Sequence, residues 1–169
     1  SHAVELAQAA LGKFAVRFEF HWLEGMRAKI GLFTSEAGDL ELIKMLLEWM
    51  QRTQADYTNT LRDLDPRCVP TNADADFRDW HAQWLARLSL QSQTHEEVVQ
   101  LLRRHNPAII PRNHKVEEVL EAAVERGDYG PLKRLLAAIS KPYDETTANA
   151  DFRLPPPVGG SEYRTFCGT

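Results

Sequence analysis

The chain has 169 residues, 43% of them hydrophobic, with 24 carboxylates against 20 lysines and arginines. That length suits one domain able to bury its own core, and the mildly acidic balance argues against the basic surface that a DNA or RNA partner needs. Two cysteines, Cys68 and Cys167, are too few and too far apart for a disulfide scaffold or a zinc site and favour a reducing compartment, while no apolar run nears the roughly 20 residues that span a bilayer.

The chain opens on Ser1-His2-Ala3, without a methionine, directly before sequence that reads as helix. Residues 1–2 therefore read as a tag remnant joined to a piece of a longer protein, and no basic stretch with an apolar core marks a signal peptide. From Ala3 to about Ile30, the residues Leu6, Ala10, Phe14, Ala15, Phe18, Trp22, Met26 and Ile30 recur at helical spacing and predict one long amphipathic helix, or two with a bend. Gly31 and the stretch Thr34 to Gly38 break it. Asp39 then offers an N-cap for a second helix, Leu40 to Met50, with Ile43, Leu46, Leu47 and Met50 as its apolar face.

Asp56 to Arg62 reads as a short helix, closed by the breaker-rich run Asp65 to Asn72, which places Cys68 in a loop. Phe77 to Leu90 returns to helical period through Phe77, Trp80, Trp84, Leu85 and Leu88. Thr94-His95-Glu96-Glu97 matches a capping box at the head of a fifth helix that runs to about Arg104. Asn106-Pro107 stops it, and Lys115 to Glu125 resumes with Val116, Val119, Leu120 and Ala123 on one face. Gly127 is placed to cap that helix, and Gly130-Pro131 opens a last one to about Ile139, because proline is tolerated in a first turn. Beyond Lys141-Pro142 the expectation is extended or irregular chain.

The fold expected is all-α, a bundle of about six to seven helices in helical hairpins with an irregular Pro-rich C-terminal tail. Residues 3–140 form the helical domain and residues 141–169 the tail. Val119 to Ile139 is similar to the paired helices of an ankyrin-type repeat, but a single copy cannot make a stack.

Chemistry is sparse. No two of the six histidines stand at the i, i+4 spacing that puts two imidazoles on one helical face, and His105 and His114 read as helix-end residues, so no metal ligands are assigned. Trp80 and Trp84, one turn apart with Phe77, read as core. Glu96-Glu97 and Glu117-Glu118 sit in first helical turns, where negative charge complements the helix dipole. No phosphate-binding Gly-rich loop, nucleophile elbow or His-Glu-x-x-His motif occurs. The stretch Pro155 to Thr169 reads as an unstructured tail with Cys167 two residues from the end. A thiol so placed is reachable, which suits redox chemistry better than packing.

Several motifs occur together in one order: Trp22-x-x-x-Met26-Arg27-x-Lys29-x-Gly31-Leu32, Asp56-Tyr57-Thr58, Asn106-Pro107-Ala-Ile-Ile-Pro-Arg112-Asn113, Gly127-Asp128-Tyr129, Lys141-Pro142-Tyr143-Asp144-Glu145, Pro155-Pro156-Pro157 and Thr165-Phe166-Cys167-Gly168-Thr169. In that order they resemble the carboxyl-terminal region of the selenoprotein O (SelO) family, from about Val4 to Thr169. The resemblance implies a pseudokinase-like protein adenylyltransferase that uses ATP and Mg to transfer AMP to protein Ser, Thr or Tyr hydroxyls. It also implies that the catalytic residues lie in an N-terminal kinase-like domain absent from this sequence, so no catalytic, cofactor-binding or metal residue is assigned here. The family feature that maps is the terminal cysteine, Cys167, expected to be redox-regulatory by pairing with a cysteine of the kinase-like domain. Within the chain only Cys68 remains as a candidate partner, and pairing would need Cα atoms within about 7 Å.

The expected partners are that missing domain and the protein substrates of the parent, with no nucleic acid and no membrane. The expected location is the cytoplasm for a bacterial protein and the mitochondrion for a eukaryotic one. A stand-alone helical protein-interaction module, with Cys167 a bystander, is the alternative reading. A helical DNA-binding regulator fits the acidic balance poorly.

Overall fold

The computed structural model describes residues 2–68 and 73–157. Among the described residues the chain is all-α, with seven α-helices, one 3-10 helix and no strand: α1 (His2–Lys29), α2 (Asp39–Thr53), α3 (Tyr57–Arg62), α4 (Ala75–Leu88), α5 (His95–His105), α6 (Asn113–Arg126), α7 (Gly130–Ile139) and the 3-10 helix η1 (Thr147–Arg153). They belong to two compact units, one comprising Ser1–Ala55 with Asp63–His105 and the other Asp56–Arg62 with Asn106–Thr169.

In the first unit, α1 packs on α2 and α5, and α2 packs on α4. Its core is built from Met26, Ile30, Leu32, Ile43, Leu46, Met50, Phe77, Trp80, Trp84, Val98 and Leu102, all buried. The two core tryptophans also satisfy backbone groups. The indole N–H of Trp84 donates to the Ile30 carbonyl at 2.7 Å and that of Trp80 to the Leu42 carbonyl at 2.9 Å, so each large ring buries without an orphaned donor. Their rings stack at 5.6 Å between centroids.

The end of α1 is a Schellman turn. Leu32 N donates to the Arg27 carbonyl at 2.9 Å and Gly31 N to the Ala28 carbonyl at 3.2 Å, with Gly31 in the left-handed region at φ 77°. Gly31 is needed there for a second reason. A Cβ at this position would stand 2.7 Å from Val98 Cγ1 on α5, so the close passage of α1 over α5 requires its absence. Gln91 finishes the corner, donating from Nε2 to the Gly31 carbonyl and accepting from the Phe33 amide, both at 3.1 Å.

Three expectations change. The single helix α1 forms, but of its predicted apolar face only Met26 and Ile30 are buried, and the residues from Val4 to Phe20 are exposed. Asp39 does not cap α2: Gly38 holds that position, and the Asp39 carboxylate turns back to two arginines and the Glu36 amide instead. The stretch expected to be extended beyond Pro142 contains η1. Thr146 and Asn149 form a reciprocal capping box there, with the Thr146 amide donating to Asn149 Oδ1 at 2.9 Å, and Phe152 inserts into the core. A seven-residue 3-10 segment has no 3.6-residue periodicity to betray it.

The second unit packs α6 on α7 and α7 on η1 around Ala108, Ile109, Val119, Leu135, Ala138 and Phe152. Gly127 closes α6 with φ 65° and Pro131 sits in the first turn of α7, both as the sequence leads one to expect.

Candidate functional site

Three of the motifs that carry the family resemblance, Asp56-Tyr57-Thr58, Asn106 to Asn113 and Lys141 to Glu145, meet in the second unit. Asp56, at the head of α3, accepts from the Asn59 amide at 2.8 Å and forms a two-pronged ion pair with Arg112, Oδ2 to Nη1 at 2.6 Å and Oδ1 to Nη2 at 2.9 Å. Parallel N–H···O bonds of this kind are the strongest carboxylate pairing available to a side chain. The Arg112 bonds hold the Asp56 carboxyl below its ordinary range; partial burial pushes the other way, and the Asn59 amide adds to the lowering. Arg62, at the other end of α3, donates from Nη1 to the Asn106 carbonyl and from Nη2 to the Tyr143 carbonyl, both at 3.0 Å, and stands 3.6 Å from Glu145 Oε2.

The Pro142 carbonyl accepts from the amides of Ala108 at 2.8 Å and Ile109 at 3.0 Å, which joins the Asn106–Asn113 connection directly to the Lys141–Glu145 turn. Arg153 pairs with Glu145, and the Arg153 carbonyl accepts from Asn59 Nδ2 at 3.0 Å. Arg134 lies over the Phe152 ring at 5.5 Å from its centroid and within 3.3 Å of Asp151. Asp56, Arg112, Pro142, Tyr143 and Glu145 are thus each bound to another segment of the same knot. Its effect is to fix the root of the carboxyl-terminal segment: Phe152 is the last buried residue described, and Leu154 is already exposed.

Cys167 itself lies outside the described residues. Twelve residues lie between it and Leu154, a contour of at most about 45 Å. Cys68 is a free, exposed thiol in the loop after α3, as expected. His105 ends α5, where its carbonyl accepts from Lys29 Nζ at 3.0 Å; this puts a cation at a helix C-terminus. His114 sits one residue inside α6, whose N-cap is Arg112, so the imidazole is not the cap; partial burial, then Lys115 and Arg112, lower its pKa. Thr94 and Glu97 make the capping box, with 2.8 Å from the Thr94 amide to Glu97 Oε2 and 3.3 Å from the Glu97 amide to Thr94 Oγ1.

A shallow groove of about 310 Å³ on the first unit is lined by Met45, Glu48, Trp49, Arg52, Asp76 and Trp80. Three of its polar side chains are already engaged: Arg52 pairs with Asp76, and the Trp49 indole donates to Asp74. Among the described residues no three His, Cys, Asp or Glu side chains stand together to hold a cation, and the carboxylates of Asp39 and Asp56 are each committed to arginine.

The arginine clamps are what sequence reading passes over. Arg112 belongs to a quoted motif and Arg62 closes a short predicted helix, but nothing in their spacing says that their partners lie 56 and 44 residues away. Asp39 reads in the sequence as a local cap, and nothing in its spacing points to Arg27 and Arg87, 12 and 48 residues away.

A family model described as "Protein adenylyltransferase SelO" matches residues 3–140. Among curated relatives, "Protein nucleotidyltransferase YdiU" of Syntrophotalea carbinolica is 48% identical over 170 aligned positions, and the proteins of the same name from Geobacillus kaustophilus and Bacillus cereus strain G9842 are 47% and 43% identical. In each case 99% of this chain is matched but only 35% of the relative, so the chain spans about a third of the length of the curated relatives it matches. With the family model covering most of the chain, the protein belongs to the SelO family of nucleotidyltransferases.

Proposed function

We propose that this chain is the non-catalytic helical region of a protein adenylyltransferase, which transfers AMP from ATP to hydroxyl side chains of other proteins with Mg in a kinase-like domain outside this chain. The observation that carries this is the match of nearly the whole chain to about a third of relatives named nucleotidyltransferases. The region supplies scaffold and the rooted carboxyl-terminal segment, and Cys167 is its regulatory residue. Oxidation ties Cys167 to a cysteine of the kinase-like domain with loss of two protons and two electrons to a cellular disulfide or peroxide; reduction by a dithiol releases it and changes access to the active site. The bacterial relatives, and the absence among the described residues of any helix long and apolar enough to cross a membrane, fit a cytoplasmic setting for this chemistry.

The test is AMP transfer from labelled ATP by the full-length protein across a series of thiol–disulfide buffers, with Cys167→Ser alongside. The parent is expected to change its rate severalfold across the series, while the variant stays flat; the isolated chain transfers no label. Identical redox profiles for parent and variant would remove Cys167 from regulation, and label transfer by the chain alone would overturn the assignment of catalysis to another domain.

A further inference from the structure

Along the first two-thirds of α1 the apolar side chains are left exposed by the other described residues. Val4, Ala7, Leu11, Phe14, Phe18 and Trp22 follow one another at steps of three and four residues and so share one face. Leu11, Phe14 and Phe18 are 72%, 64% and 56% exposed, and the Phe14 and Phe18 rings stack on each other at 5.9 Å. At 3.6 residues per turn, Leu6, Val16 and Phe20 fall on the opposite side, and they are exposed as well. Only the last turns of the helix, through Met26, enter the core of the first unit.

Glu5, Lys13, Arg17 and Glu19 interleave with these side chains, yet exposed apolar groups stand on both sides of the helix, and apolar groups on both sides call for cover on both. Pairing with one other helix, as in a dimer with a second copy, would use the Leu11–Phe18 stripe and leave the opposite side bare. The helix is also no foreign appendage, because the family model begins at residue 3 and the relatives align over 99% of the chain. Those relatives are nearly three times as long as the part matched here. We infer that the exposed stretch of α1 is an interdomain docking helix, enclosed in the full-length protein by the portion of the family chain that lies outside this sequence. The inference rests on family membership and the relatives' length, and not on AMP transfer.

Amide hydrogen exchange followed by mass spectrometry on peptides within residues 2–20 tests it, in this chain and in the full-length protein, both at submicromolar concentration. Exchange in the chain alone is expected to be about a hundredfold faster than in the full-length protein, since an uncovered helix opens locally. Phe14→Asp with Phe18→Asp in the full-length protein should abolish most of that protection. The same double variant in this chain should leave the urea midpoint read by tryptophan fluorescence unchanged, which separates lost docking from misfolding. Equally fast exchange in both proteins would overturn the inference. So would protection of the chain alone that rises with its concentration alongside a sedimenting dimer, or protection that appears only on anionic phospholipid vesicles. The readout involves no activity, so a full-length protein that protects α1 yet transfers no AMP would leave this inference standing and sink the functional one.

Discussion

Asp39 shows how one side chain organises the first unit. Fully buried at the start of α2, it accepts from Arg27 Nε and Arg87 Nε at 2.6 Å each and from the Glu36 amide at 2.9 Å, while Arg87 also reaches the Thr34 carbonyl at 2.8 Å. The carboxylate thus gathers the end of α1, the α1–α2 connection and the end of α4. Burial is the largest influence on its ionisation and opposes charge, but the Arg87 bond, the Glu36 amide and Arg27 together outweigh it and hold the pKa below the ordinary value. Removing one member of such a cluster strands the others in the interior, whereas replacing the set with apolar groups can be nearly neutral. Asp39→Asn is therefore expected to lower the unfolding free energy by about 3 kcal/mol at pH 7, by the usual cost of breaking a buried pair. Asp39→Leu combined with Arg87→Met should cost less than the sum of the two single changes. Urea titrations of the parent, Asp39→Asn, Asp39→Leu, Arg87→Met and the Leu/Met combination measure both, and strict additivity would show that the pair is not coupled.

At the scale of elements, the α1–α5 passage turns on Gly31. Alanine there must adopt φ 77° and place its Cβ against Val98 on α5, two independent penalties at one site. Gly31→Ala is expected to destabilise the first unit by about 2 kcal/mol, in the range of overpacked cores, and Val98→Ala should recover the steric part alone. A midpoint within error of the parent would mean that the corner relaxes freely. This corner also marks where sequence reading succeeds and stops. Gly31 was legible as a break because glycine punctuates a periodic pattern, and likewise Thr94–Glu97, Gly127 and Pro131, whose signals are local in the chain. Trp80 and Trp84 were legible as core from their spacing. That Gly31 passes Val98 and Leu102, and that Arg112 meets Asp56, are facts of tertiary approach with no local periodicity behind them. The apolar face of α1 is equally legible in the sequence, but a face says only that it calls for cover and not what supplies it. Cys167 stood out through its terminal position and the motif around it, both features of sequence alone.

Across the whole molecule the charge arrangement sets how stability responds to acid. The chain carries a net charge of −4, yet its well-held carboxylates are placed by specific donors rather than by bulk attraction. Asp39 and Asp56 have lowered pKa values for the causes already given, and Asp65 is lowered chiefly by its bonds to Arg67. A carboxyl whose folded pKa lies below its unfolded value binds fewer protons when folded. Its contribution is complete above the unfolded value, about 3.9 for aspartate, and is lost as the pH falls through the folded value. His114, lowered mainly by burial, acts in the same direction at a higher pH: its neutral form suits the folded state, so protonation below its ordinary value of about 6.5 also favours unfolding. Helical circular dichroism is therefore expected to hold steady from pH 8 to 7, to show a small loss of urea resistance between pH 6.5 and 5, and to fall steeply below pH 4. His114→Gln should remove the first change and leave the second. The combination Asp39→Asn with Asp56→Asn should start from a lower stability at pH 7 and lose much less of it between pH 5 and 2.5, because the protons whose uptake drives unfolding no longer have those two sites to bind. A double variant with the parent's acid slope would place the acid response on exposed carboxylates instead, and raising the salt to 1 M would then suppress it, since exposed charges are screened over about 3 Å at that ionic strength.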